Sequence, residues 1–176
     1  MDYNLKIKNT WKNNKQEELN LRIKYITRIQ TIQAPHKIFI VHGHDSLLKE
    51  EVARILEKQG IEVVLLSEQA NSGLTVFEKL VKYSEVDTAI CLFTSDDVGK
   101  EKNETDFKKR ARQNVIFETG YFIHKLGKGK VILICDSEVE VPSDLQGVVY
   151  NTKDDWKLKV LKELKEIGFN IDLNKI

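Results

Sequence analysis

The stretch KIFIVHGHDSLLKEEVARILEKQGIEVVLL, residues 37–66, decides the fold. KIFIV, residues 37–41, is a short β-rich run. Ser46 to Gln59 then carries Leu47, Leu48, Val52, Ile55 and Leu56 at helical spacing, and Gly60 supplies the stop. IEVVLL, residues 61–66, is apolar at nearly every position, as in a strand covered on both faces. The same alternation continues outward: a helix from about Thr75 to Tyr83, the strand DTAICLFT (87–94), and a helix around Glu118 that ends near Gly127. KVILIC (130–135) and GVVYN (147–151) read as the fourth and fifth strands, and an amphipathic helix from about Asp154 to Ile167 stops at Gly168. Between the third strand and the Glu118 helix, residues 100–112 hold six Lys/Arg and three acids and read as a polar loop.

Doubly apolar strands alternating with helices predict an α/β fold. Right-handed crossovers place helices on both faces of a parallel sheet, here of five strands in flavodoxin-like order. The 176 residues suit one domain of ordinary size. Residues 1–34 differ in character, with seven Lys/Arg, three acids and Leu19, Ile23, Ile26 and Ile29 at roughly helical spacing. They read as an amphipathic helical extension before a domain at 35–176. A net charge of +1 gives no reason to expect nucleic acid or an anionic membrane as partner. No apolar run reaches the roughly 18 residues needed to span a bilayer, and the Met1 end lacks the apolar core of a secretory signal, so a cytoplasmic protein is expected. Cys91 and Cys135 sit inside strand-like runs and read as small buried hydrophobes.

In such a sheet ligands bind beyond the carboxyl ends of the strands, where the chain reverses direction between the first and third strands. His42, Gly43, His44, Asp45 and Ser46 follow the first strand: Gly43 permits close approach to a ligand, and Asp45 or Ser46 would cap the next helix. Holding a metal with His42, His44 and Asp45 would take a further acid or histidine, and His36 and His124 have no reason to converge there, so no metal is expected. A glycine loop with Asn71, Ser72 and Gly73 follows the second strand, and Glu78 beyond it reads as a solvated carboxylate at a helix start. After the third strand stand Asp96 and Asp97, of which Asp97 is the candidate contact.

Glu118 lies in RARQNVIFETGYF, residues 110–122, among Val115, Ile116, Phe117, Tyr121 and Phe122. An ionised carboxylate in apolar surroundings costs several kcal/mol unless it is partnered or kept for use. On a helix, Asn114, Glu118 and Tyr121 share one face, offset from Val115, Phe122 and Leu126. Arg110 and Arg112 precede it and offer cations to a phosphate, while Phe117 or Tyr121 is available to stack on a ring. This set suits a nucleotide whose glycosidic bond is cleaved, with the carboxylate stabilising an oxocarbenium ion.

Four segments, residues 37–80, DTAICLFTSDDVG, RARQNVIFETGYFIHKLGKGKV and VPSDLQGVVY, together resemble prokaryotic TIR-like (Toll/interleukin-1 receptor type) domains. The nearest group is the nucleotide-binding effectors of bacterial cyclic-nucleotide-triggered antiphage systems, and the likeness covers about residues 36–170. It implies an NAD+ glycohydrolase that depletes cellular NAD+, with NAD+ as substrate and no cofactor. The glutamate of the family's N-V-x-F-E-x-G-type helix falls on Glu118 as catalytic residue, and the nucleotide-contacting loop falls on His42 to Ser46. Ser72 and Gly73 fall on the segment that mediates assembly and gates the site. The resemblance therefore implies a homo-oligomer through TIR–TIR contacts, and a cyclic-nucleotide sensor in a segment or partner not evident in these residues. Nucleoside 2-deoxyribosyltransferases resemble the F-E-x-G-Y-type segment and also use a glutamate. A non-catalytic TIR interaction module is the third reading.

Overall fold

The computed structural model describes residues 15–24, 36–145 and 147–176. The chain divides into two compact units, Met1–Pro35 and His36–Ile176. In the first, residues 15–24 are helical (α1), with Leu19 and Ile23 exposed; Ile26 and Ile29 lie outside the described residues. The second contains strands β1 (Lys37–Val41), β2 (Glu62–Leu65), β3 (Thr88–Phe93), β4 (Asp97–Gly99), β5 (Lys108–Arg110), β6 (Val131–Cys135), β7 (Val139–Glu140) and β8 (Val149–Thr152). Its helices are α2 (Ser46–Lys58), α3 (Val76–Tyr83), α4 (Gln113–Leu126) and α5 (Trp156–Ile167).

The main sheet is parallel throughout and runs β2-β1-β3-β6-β8, the flavodoxin-like order. Side chains alternate across each strand, so the doubly apolar runs feed two separate cores. Ile38, Ile40, Ile90, Leu92, Ile132 and Ile134 pack with Val52, Leu56, Val160 and Leu164 of α2 and α5. Phe39, Val41, Cys91, Phe93, Leu133 and Cys135 pack on the opposite face with Leu80, Val115 and Phe122 of α3 and α4. Both cysteines are free, and burial pushes each thiol up to about 12, so they serve as packing groups.

Local chemistry sets the helix starts. The Asp45 carboxylate accepts from Leu48 N at 3.0 Å and caps α2. At α3 a capping box forms: Thr75 Oγ1 accepts from Glu78 N at 3.2 Å while Thr75 N donates to Glu78 Oε2 at 2.8 Å. Glu78 thus has a structural task. Ser72 and Gly73 precede this helix at φ 46° and 74°, a left-handed pair that glycine takes without strain and serine at a cost.

The expected polar loop at 100–112 is corrected by the structure. Asp97–Gly99 and Lys108–Arg110 pair antiparallel, and β7 adds parallel to β5, forming a second sheet in the order β4-β5-β7. β4 and β5 are mostly exposed, and β5 is joined to β7 by ion pairs from Glu140 to Arg110 at 2.6 Å and to Lys108 at 3.4 Å. β4 and β5 contribute no fully buried residue and so leave no apolar alternation to read. Among the described residues, no helix is long and apolar enough to cross a membrane.

Candidate functional site

β1 lies between β2 and β3, so the loops leaving β1 and β3 stand side by side at the switch point. Gly43 sits against Asp96: a Cβ at residue 43 would lie 1.6 Å from Asp96 Oδ2. That oxygen accepts from Thr94 Oγ1 at 2.8 Å and from His44 N at 3.2 Å. The absence of a side chain at Gly43 is therefore what lets the β3 acid hold the β1 loop. His42 Nδ1 donates to its neighbour's carbonyl, Gly43 O, at 2.9 Å.

A cation clasps the same edge. Lys153, directly after β8, reaches Asp45 Oδ2 at 2.5 Å and Asp136 Oδ1 at 3.4 Å. Asp136 also accepts from Ser95 N at 2.9 Å, so residues following β1, β3, β6 and β8 are tied together. The Leu48 amide, followed by Lys153, holds the Asp45 carboxyl below its ordinary value; Asp45, with Asp136 contributing, raises Lys153.

α4 brings Glu118 to this edge. Val115, Thr119 and Phe122 bury one face of the helix, and the Thr119 hydroxyl donates to Val115 O at 2.7 Å. Glu118 stands beside that face, half-buried. Among the described residues its carboxylate accepts no hydrogen bond and has no ion pair within 4.0 Å. Desolvation pushes its pKa up to about 7, and the Arg112 charge moderates the rise. Arg112 Nη1 donates to His44 Nε2 at 3.2 Å, since a guanidinium can only donate. The structure thus brings together the His42–Ser46 loop, Arg112 and Glu118.

Other residues expected at the site are placed differently. Arg110 is held by Glu140 and lines a cleft of about 500 Å³ with Ile116, Val141 and Pro142. Asp97 opposes Arg110 across β4 and β5 and is exposed. The Tyr121 hydroxyl shares a hydrogen bond with Ser84 Oγ at 2.8 Å, which braces α4 against the end of α3. Asn114 is exposed, one turn before Glu118. Phe117 is 60% exposed and meets the Phe77 ring edge-on at 5.9 Å, tying the start of α3 to the residue beside Glu118. Ser72 and Gly73 share no hydrogen bond with Glu118 among the described residues. Among those residues, no three His, Cys, Asp or Glu side chains are grouped to hold a metal.

Sequence reasoning missed Asp96 as the partner of Gly43, and it missed Asp136 and Lys153. Their signal was position: Asp136 and Lys153 each directly follow a strand of the main sheet. The rule that directed attention to residues after β1, β2 and β3 applies equally after β6 and β8.

A family model described as CAP12/Pycsar effector protein, TIR domain, matches residues 37–155, which include every element from β1 through β8. The chain is 44% identical over 143 residues to the uncharacterized protein YuaY of Escherichia coli K12, covering 79% of this chain and 48% of YuaY. It is 38% identical over 146 residues to protein tirC of Dictyostelium discoideum, covering 76% and 70% respectively. With the Pycsar effector protein BcPycTIR of Burkholderia cepacia it shares 28% identity over 159 residues, covering 86% of this chain and 47% of that protein. The chain thus spans about half the length of YuaY and of BcPycTIR. With the parallel sheet in flavodoxin-like order and the matched family model, the chain belongs to the TIR-domain family of CAP12/Pycsar effectors.

Proposed function

We propose that this chain is an NAD+ glycohydrolase in which Glu118 is the catalytic residue. The observation that supports it most is a half-buried carboxylate without a hydrogen-bond or ion-pair partner among the described residues, under the influence of the guanidinium that meets the β1 loop. A structural carboxylate in that setting would be expected to hold a hydrogen bond or an ion pair.

The reaction breaks the bond between ribose C1′ and the nicotinamide nitrogen. The bonding pair leaves with nicotinamide, whose ring loses its positive charge, and the positive charge moves to the C1′–O4′ unit. Ionised Glu118 stabilises that oxocarbenium ion and hydrogen-bonds the ribose hydroxyls. Water then adds at C1′ and loses a proton, giving ADP-ribose. In the free protein Glu118 titrates near neutrality, and a cationic nicotinamide-ribose arriving beside it favours the ionised form. Arg112 and the His42–Ser46 loop take the pyrophosphate, and Asn114 orients the ribose or the carboxylate. Phe117, exposed next to Glu118, offers a ring to stack on the substrate.

The biological setting we propose is antiphage defence, with NAD+ depletion as the output. A cyclic-nucleotide sensor belongs to another segment or polypeptide, and self-association raises activity. The relatives named as Pycsar effectors support the defence setting.

The test is nicotinamide release from NAD+ by concentrated purified protein, wild type beside Glu118→Gln, with folding checked by circular dichroism. Release by the wild type and none by the variant is the expected result. Equal release by both removes Glu118 from the chemistry. Base exchange between deoxynucleosides without nicotinamide release would instead assign the deoxyribosyltransferase reaction.

A further inference from the structure

Lys79 is a charged side chain that the proposed reaction does not use. It is 7% exposed on α3, and its Nζ has one protein partner among the described residues, the Asn71 Oδ1 amide oxygen at 3.0 Å. No carboxylate of those residues lies within 4.0 Å of it. An ammonium carries three N–H donors, and burying it against a single neutral acceptor leaves both charge and donors uncompensated.

The surroundings show where compensation would come from. Lys79 lines a cleft of about 380 Å³ with Leu66, Ser67, Asn71, Leu74 and Val76. This lining contains no acid. Three other clefts on the same unit each carry glutamate: Glu50 and Glu51 in one, Glu62 and Glu85 in the second, Glu140 in the third. With its oxygen on Lys79, the Asn71 amide keeps its NH2 group to donate, and the Ser67 hydroxyl is a further donor. Leu66, Leu74 and Val76 supply an apolar wall beside these donors. The volume lies within the range of small-molecule sites, and an apolar lining with a few convergent polar groups is their usual make-up.

We propose that this cleft binds a small organic anion. Its carboxylate or phosphate sits on Lys79 Nζ, the Asn71 amide and the Ser67 hydroxyl, and its apolar body covers Leu66, Leu74 and Val76. Glu118 is not among its lining residues, and the proposal does not depend on the hydrolase reading. Asn71 also accepts the Leu74 amide at 2.8 Å, closing the turn that carries the left-handed Ser72 and Gly73, so the ligand contacts the residue that holds this loop.

The experiment is a titration of the full chain with benzoate and with phenyl phosphate, at constant ionic strength set by sodium chloride, followed by backbone amide NMR shifts. The expected result is saturable shifts confined to residues 66–79, with a dissociation constant of about 1 mM or below for at least one probe. Preference between the probes assigns carboxylate or phosphate. Lys79→Met should weaken binding at least about tenfold, while Lys79→Arg should keep it within about threefold. Asn71→Asp gives a second arm should Lys79→Met fail to fold: a carboxylate in cis satisfies the ammonium, so the melting temperature should rise and probe binding disappear. Shifts scattered over surface lysines and unchanged in either variant overturn the proposal, as does an absence of saturation. Loss of self-association in Lys79→Met without added anion also overturns it, by assigning the ammonium to a carboxylate of a second copy.

Discussion

The small sheet and the carboxyl edge of the main sheet are both rich in charge, yet one carboxylate of each, Glu140 and Glu118, stand in opposite conditions. In the small sheet Glu140 takes Arg110 at 2.6 Å and Lys108 at 3.4 Å, and these pairs hold its carboxyl below the ordinary value. At the edge of the main sheet Glu118 has no bonded partner among the described residues, and burial raises it to about 7. The arginines involved, Arg110 and Arg112, are two residues apart. Solvated, matched charges contribute little because water already serves them well. A desolvated carboxylate with one cation nearby is held away from its preferred state, and that is where chemical capacity resides.

The sharpest test of this contrast replaces each acid by its amide. Glu118→Gln should lower nicotinamide release by about a thousandfold or more, the scale on which electrostatic groups at a reacting centre act. Glu140→Gln should leave release within about twofold, since a solvated pair tolerates the loss of one charge. Comparable losses in both would break the distinction.

Gly43 probes whether the edge needs its exact packing. Gly43→Ala drives a methyl into Asp96, 1.6 Å from Oδ2 before any shift. Asp96 must then release His44 N or Thr94, and the loop beside Glu118 moves. We expect kcat/KM for NAD+ to fall about a hundredfold, as for misplacement by about 1 Å, with a lowered melting temperature. Activity and Tm both unchanged would show that the loop accommodates the methyl freely.

The two arginines divide next. Arg112→Gln should raise KM for NAD+ about tenfold, the value of one charge-assisted hydrogen bond, whereas Arg110→Gln should change it less than about twofold. Removing Arg112 also takes away the charge that lowers Glu118, so the pH limb should move upward; Arg110→Gln should not move it. A matched pair of effects would place both arginines at the substrate.

The smallest effect is on stability. In wild type, kcat/KM should rise with pH through about 7 as Glu118 ionises. The raised folded-state pKa means that the folded protein binds the Glu118 proton more tightly than the unfolded chain does. Stability contributed by this group is complete below about pH 4.5 and is lost as pH rises through about 7. Glu118→Gln escapes that loss. It should match wild type near pH 4 and exceed it by about 1–3 kcal/mol above pH 8 in denaturant melts. A gap independent of pH would mean that the carboxylate is not desolvated.

The main sheet was legible in the sequence because its strands are covered on both faces, which leaves continuous apolar runs such as AICLF and VILIC. Crossover handedness then restricted the order of strands, and the observed β2-β1-β3-β6-β8 is one of the few orders it permits. Glu118 was conspicuous for the same reason: a lone acid in a run of large apolar residues needs an explanation. The small sheet was hidden because β4 and β5 are mostly exposed and the pairing of β5 with β7 is marked by charges, which carry no strand period.

Sequence by itself determined the parallel α/β class, helix starts at Asp45 or Ser46 and near Thr75, and the prominence of Glu118, because periodicity, turn chemistry and hydropathy are local properties. Only the tertiary structure decided which partner each charge meets. Arg110 went to Glu140 and Arg112 to His44; Gly43 received Asp96 from 53 residues away, and Lys153 closed on Asp45 across 108. Ion pairs and close approaches at strand ends depend on which loops the sheet order brings together, and no spacing along the chain encodes that.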